Sequence, residues 1–169
     1  MDWKKENQQT IQLIDGIIEG VAQGKKDVFN PVYFYGDPVD VRMIMDRLKE
    51  RYRAAHPQDL IIHTNGVDFC AGYLYAAMDG KAHFFESTYK TAHLLIFENT
   101  EILAGRRSTM DAFYRIVDAI FESGGHVVFA ASTPPQNMPS LEPRNQAQME
   151  GGIICCVDLK RPLSLTQED

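Results

Sequence analysis

Three cysteines among 169 residues are too few for a disulfide framework and badly placed for one. Cys155 and Cys156 are neighbours, so on a strand they point to opposite faces, and Cys70 stands alone. All three are expected as buried, reduced thiols. Long hydrophobic runs are also missing: nothing approaches the roughly 20 apolar residues of a membrane-crossing helix. The opening Met1-Asp2-Trp3-Lys4-Lys5 lacks the apolar core of an export signal, so the expectation is a cytoplasmic protein with no membrane partner. The five histidines, His56, His63, His83, His93 and His126, fall in no ligand spacing such as H-E-x-x-H, and no metal site is expected. Positive charge is in deficit as well. The 17 Lys and Arg face 23 Asp and Glu, a net charge of −6, which argues against unaided coating of duplex DNA, where clustered cations must neutralise phosphates.

What is present is an ordinary globular composition, 44% hydrophobic and 24% charged, in a chain of single-domain length. Residues 7–22 place Ile11, Leu13, Ile14, Ile17, Ile18 and Val21 at helical spacing, and Gly24 with Lys25-Lys26 supplies a stop. Asn30-Pro31 breaks the chain before a β-rich run, 32–35, bounded by Gly36. A helix is expected over 38–54, with Val41, Ile44, Met45, Leu48 and Tyr52 on one face, and a second buried strand over 60–64. Two shorter, aromatic-rich helices over 66–78 and 81–89 precede a third strand at 93–97. A helix over 108–122 ends at Gly124-Gly125, a fourth strand covers 127–131, a proline-rich loop leads to a short helix near Leu141, and 153–157 is the fifth strand. Short, continuously apolar strands alternating with amphipathic helices predict a five-stranded parallel sheet in a doubly wound three-layer α/β/α sandwich. Residues 1–29 read as an N-terminal helix and linker packed on a core of 30–159, followed by a short polar tail, 160–169.

The helix over 38–54 carries Arg42, Arg47, Lys49, Arg51 and Arg53. Interleaved with Asp46 and Glu50, this patch reads as a solvated helix face. Arg106-Arg107 form a second patch.

A phosphate-binding loop has the form G-x-x-x-x-G-K-[ST], in which glycines let backbone N–H groups close on phosphate, a lysine reaches the β/γ-phosphates and a hydroxyl holds Mg²⁺. The sequence after the first strand is Gly36-Asp37-Pro38-Val39-Asp40-Val41-Arg42-Met43. Only the first glycine remains. Val41 stands where the second glycine must approach the ligand, Met43 has no hydroxyl, and Pro38 has no N–H to donate. Asp37 and Asp40 bring negative charge where a polyphosphate would lie, and Arg42 keeps a cation in a bulkier, forked shape. The pattern is that of an NTPase core that no longer handles its nucleotide, and no cofactor is expected.

In order and wording the motifs resemble the AAA+ core of the DnaA family of bacterial replication initiators, over about residues 30–159. Asn30-Pro31-Val32-Tyr33-Phe34-Tyr35-Gly36 is similar to that family's entry into its P-loop. Leu103-Ala104-Gly105-Arg106, followed by Phe113, resembles the segment after its Walker B strand, Ala131-Ser132-Thr133-Pro134-Pro135 its sensor 1 loop, and Pro139-Ser140-Leu141-Glu142-Pro143-Arg144 the L-E-x-R pattern beyond it. The helix pair at 66–89 resembles the initiator-specific insertion. The resemblance implies an AAA+ base subdomain without the family's helical lid and helix-turn-helix duplex reader.

The resemblance also shows what is altered. The Walker B acids match Glu98 and Asn99, the sensor 1 acid matches Ser132, and the arginine finger matches Gln148. A neutral amide cannot act as a general base, and losing an arginine finger removes roughly 10³-fold or more in rate. The expectation is a non-enzyme: a protein-interaction or regulatory module linked to replication initiation, with a replication initiator, a helicase-loading protein or a second copy of itself as partner. Two alternatives stand beside it. One is a single-stranded nucleic-acid accessory, since Arg106 matches a basic residue facing single-stranded DNA and Leu74 an apolar one on the same surface, with Arg107 and Tyr73 adjoining. The other is weak residual ATP binding through Arg42 and Glu98.

Overall fold

The computed structural model describes Lys5 and residues 7–159; the polar tail expected over 160–169 and the residues 1–4 read for an export signal lie outside them. Among the described residues five strands, β1 (Val32–Gly36), β2 (Ile61–Asn65), β3 (Leu94–Glu98), β4 (His126–Ala131) and β5 (Ile153–Val157), alternate with six α-helices. These are α1 (Gln8–Ala22), α2 (Pro38–Ala55), α3 (Gly66–Met78), α4 (Ala82–Lys90), α5 (Arg107–Glu122) and α6 (Pro143–Met149). All strand pairs are parallel, in the order β2-β3-β4-β1-β5.

Side chains alternate across the sheet, and each face builds its own core. Val32 and Phe34 of β1, Leu94 and Ile96 of β3, and Val128 and Ala130 of β4 pack with Ile14, Ile17, Ile18 and Val21 of α1 and Val41, Ile44, Met45 and Leu48 of α2. Tyr33, Leu95, Phe97, Val127 and Phe129 face the other way, against Phe69 of α3, Phe113, Ile116 and Ile120 of α5 and Met149 of α6. The three-layer sandwich read from the hydrophobic pattern is therefore the fold.

Three details differ from the sequence reading. The second strand is not buried: β2 lies at the sheet edge, half-exposed along its whole length, and Leu60 falls before it at 44% exposure. The thiols are not all buried either: Cys156 is exposed, on the face of edge strand β5 opposite the buried Cys155. The short helix expected near Leu141 begins two residues later, at Pro143, whose fixed φ suits a first helical position; Leu141 is buried in the loop before it. The basic face of α2 is solvated as read: Arg42, Arg47, Lys49, Arg51 and Arg53 are all exposed, with Arg47 3.1 Å from Asp15 and Arg51 paired to Glu19 of α1.

The helix after β1 lies on one face of the sheet and the helix after β4 on the other. A crevice must open between the carboxyl ends of these two adjacent strands, the place where open α/β sheets take ligands.

Candidate functional site

At the lip of that crevice Gly36 has φ 148°, and a Cβ there would run into the carbonyl oxygen of Val157 on β5. Close pairing of β1 with β5 is enough to require this glycine. Only Asp37 then separates β1 from α2, because the helix already starts at Pro38. The stretch 36–43, read as a decayed loop, is a strand end, one capping residue and the opening turns of a helix. One carboxylate oxygen of Asp37, Oδ1, accepts from the N–H of Val39 at 3.0 Å and of Asp40 at 3.2 Å. Pro38, at the first helical position, has no N–H at all. A helix N-terminus attracts anions because its first N–H groups are unpaired and its dipole end is positive. Here the chain supplies the anion itself.

The remaining motif positions fan out around α2. Val41 is buried in the α1/α2 core and helps wall the crevice. Met43 is 66% exposed and turned toward Ile11, Ile14 and Ile18 of α1. Arg42 reaches across the end of the sheet, its Nη1 donating to Glu98 Oε2 at 2.7 Å and its Nε lying 3.5 Å from Asp46. The same Glu98 oxygen is 2.7 Å from His63 Nε2 on the neighbouring strand β2. Burial alone would raise the Glu98 carboxyl pKa; the hydrogen bond and charge of His63, together with Arg42, outweigh it and hold the pKa below its ordinary value. Glu98 is thus a carboxylate already matched by two side chains of its own chain.

Asn99 sits in the left-handed region, φ 56° and ψ 51°, which asparagine tolerates better than most residues. Ser132 is exposed, and its Oγ donates to Glu101 Oε1 at 3.4 Å. Glu101, a position to which no motif pointed, follows Thr100 in a 3₁₀ turn and has its Oε2 buried without a hydrogen-bond partner. Between Gly36, Val41, Glu98, Glu101 and Ser132 is a cavity of about 70 Å³. Outside it is a depression of about 660 Å³, and the described residues that line it include Asp37, Asp40 and Asp158. Among the described residues no group of three or more His, Cys, Asp and Glu is arranged to hold a metal ion.

The candidate nucleic-acid residues divide. Arg106 precedes α5 with its Nε donating to Ile102 O at 2.9 Å, and its charge reaches the Cys70 thiol on α3. Arg107 is 84% exposed and 3.9 Å from Glu142. Leu74 points outward at 59% exposure, whereas Tyr73 is half-buried, edge-on to Phe85 with ring centroids 6.0 Å apart. Tyr73 is a packing residue of the helix pair and does not share the face of Leu74. Gln148, read from the resemblance as matching the arginine finger, turns inward and donates to Tyr114 O at 3.1 Å, which ties α6 to α5. His63 was legible only as a histidine without metal spacing; its partner Glu98 lies 35 positions further along the chain and is itself 56 positions from Arg42.

A five-stranded parallel sheet in this order, with a helix springing from the end of its second-to-last strand in space and an acid closing β3, defines the P-loop NTPase class. A profile of the bacterial DnaA ATPase domain matches residues 7–156, and the chain belongs to that family. The chromosomal replication initiator proteins DnaA of Symbiobacterium thermophilum and Deinococcus radiodurans are each 25% identical over 143 residues, 84% of this chain but only 31% and 30% of their own lengths. The chain therefore spans about a third of those relatives. Among solved structures, domain III of the Thermotoga maritima replication initiation protein DnaA is similar with a TM-score of 0.80 at 16% identity, covering 96% of this chain and 65% of that one. A replication initiator DnaA bound to AMPPCP and single-stranded DNA gives 0.78 at 19% identity, covering 91% and 47%. The DnaC helicase loader gives 0.63 at 9% identity, covering 89% of both chains. At these identities the structures speak to the fold. No helix among the described residues is long and apolar enough to cross a membrane.

Proposed function

We propose that this chain is a non-catalytic member of the DnaA ATPase-domain family, a protein-interaction or regulatory module of replication initiation that works without nucleotide. The observation that carries the reading is the Asp37 carboxylate seated on the N–H groups of Val39 and Asp40. A triphosphate entering there meets a fixed anion at Asp37, with Asp158 also among the described lining residues. Like charges at such separations are costly, more so where water is partly excluded. Glu98 supports the same conclusion: the carboxylate that would position Mg²⁺ is matched by Arg42 and His63, and the hydroxyl partner of the metal is replaced by an outward-facing Met43. With Asn99 and Gln148 in place of an acid and an arginine, hydrolysis lacks its base and its trans-acting cation. A replication initiator or helicase-loading protein is the partner class that the family suggests.

Calorimetric titration with ATP and with ADP, each with Mg²⁺, tests this directly. No heat of binding is expected, and a submillimolar dissociation constant for either nucleotide overturns the proposal. A second reading has its own observation: Arg106 and Arg107 stand exposed at the start of α5, the charge of Arg106 reaches Cys70 on α3, and Leu74 is exposed on that same helix. If these contact single-stranded DNA, oligonucleotide affinity falls steeply with salt and is reduced by Arg106→Ala.

A further inference from the structure

Helix α3 is apolar on two sides, and only one of them is used. Its inner side, with Phe69, Cys70 and Tyr73, packs toward α5 and α4. On the outer side Val67, Ala71, Leu74 and Met78 are all exposed, the three larger ones by 55%, 59% and 73%, with Tyr75 beside them at 70%. Their spacing runs four, three, four, which is the a/d rhythm of a seam between two helices. A surface helix ordinarily presents polar residues on the side away from its core; α3 has a single charged side chain, Asp68. We infer that this stripe is a self-association surface on which two copies of the chain pair α3 against α3 in antiparallel orientation.

The pattern itself selects a second copy in that orientation. About a twofold axis midway between Ala71 and Leu74, Ala71 faces Leu74 of the other chain, and Val67 faces Met78. Small meets large at the centre, so the layers fill without a gap or a clash. The lone charge is accommodated too. In the antiparallel pairing the exposed Asp68 flanks Tyr75 of the other chain, whose phenol O–H donates to a carboxylate. Antiparallel helices also set each positive dipole end beside a negative one. The surface is isologous, as a twofold dimer requires. The inference rests on α3 and is independent of whether the chain binds nucleotide.

Sedimentation velocity across a concentration series tests it, with light scattering as a check on mass. The chain is expected to approach twice its 19.1 kDa at hundreds of micromolar and to return toward the single-chain mass at low micromolar, as a small interface would. Leu74→Glu and Ala71→Arg, both at exposed positions that leave the core intact, are each expected to stay monomeric throughout. Mixed in equal amounts they should restore the dimer, because the arginine introduced in one chain then faces the glutamate introduced in the other. Leu13→Glu, at an exposed position on α1, should dimerise like the parent. A parent chain that stays monomeric overturns the proposal, as does a dimer that survives Leu74→Glu or a mixture that fails to reassociate.

Discussion

A helix that begins at the mouth of a crevice leaves its first N–H groups unpaired, and Asp37 closes two of them with one carboxylate oxygen. Replacing Asp37 with Ala should destabilise the chain by about 1 kcal/mol, the usual worth of an N-cap, while Asp37→Asn or Asp37→Ser should cost only a few tenths. Urea unfolding of the three variants checks this order. An Asp37→Ala chain as stable as the parent would mean that the cap is only geometric. The signal for this cap was in the sequence, since an aspartate followed by proline is a helix start. Likeness to a phosphate loop draws attention to what Gly36 through Met43 lack and away from what Asp37-Pro38 build. The Arg42–Glu98–His63 cluster was not legible at all: its members lie on α2, β3 and β2, and only the parallel register of Asn65 with Glu98 brings the strand ends together.

The α3–α4 pair shows how an element with little core of its own is held. Phe69 packs edge-on to Tyr89, Phe97 and Phe113, and α4 is fastened to α5 by Glu86, which is 6% exposed and takes a two-pronged hydrogen bond from Arg115, with Lys90 at 3.5 Å. The hydrogen bond from Arg115 is the main reason the Glu86 carboxyl titrates below its ordinary value, with burial opposing it. Removing the two partners should therefore be unequal. Arg115→Ala leaves a buried carboxylate with only Lys90 and should cost about 2 kcal/mol, whereas Glu86→Gln leaves a half-exposed guanidinium that water can solvate and should cost about 1 kcal/mol. A double-mutant cycle by chemical unfolding, with amide exchange in α4 as a local readout, decides it; equal costs would mean that burial of Glu86 is not what makes the pair matter. The helices and strands themselves were readable from periodicity because each carries a one-sided or continuous apolar pattern. The surface on α3 was not, since a helix apolar all round looks like core until the sheet shows which side it turns inward.

Taken as one folding unit, the molecule has a weak point in mild acid. His126, at the start of β4, is 1% exposed, and its Nε2–H donates to the Lys25 carbonyl at 2.8 Å. Its Nδ1 accepts from Lys26 Nζ at 2.9 Å, and that ammonium also donates to Gly124 O at 2.6 Å. Burial is the chief cause that pushes the imidazole pKa down from 6.5 to about 4, with the charges of Lys26 and His56 acting in the same direction and the Lys25 hydrogen bond opposing. In the unfolded chain His126 takes up a proton near pH 6.5; in the folded chain it stays neutral until about pH 4. The unfolded state then binds more protons between those values, so stability falls as pH is lowered through that window, by about 3 kcal/mol in total. Below about pH 4.5 the carboxylates Glu86 and Glu98 add to the loss, because both are held below their ordinary range in the folded state and must be protonated there. Urea unfolding at pH 7.5, 6.5, 5.5, 4.5 and 3.5 should show a nearly flat stability down to about pH 6.5 and a steady decline beyond it. His126→Gln, which keeps a neutral polar side chain at the site, should flatten the upper part of that decline and leave the part below pH 4.5 intact. A parent chain whose stability does not change between pH 6.5 and 4.5 would show that His126 is protonated in the fold, with Lys26 displaced from it.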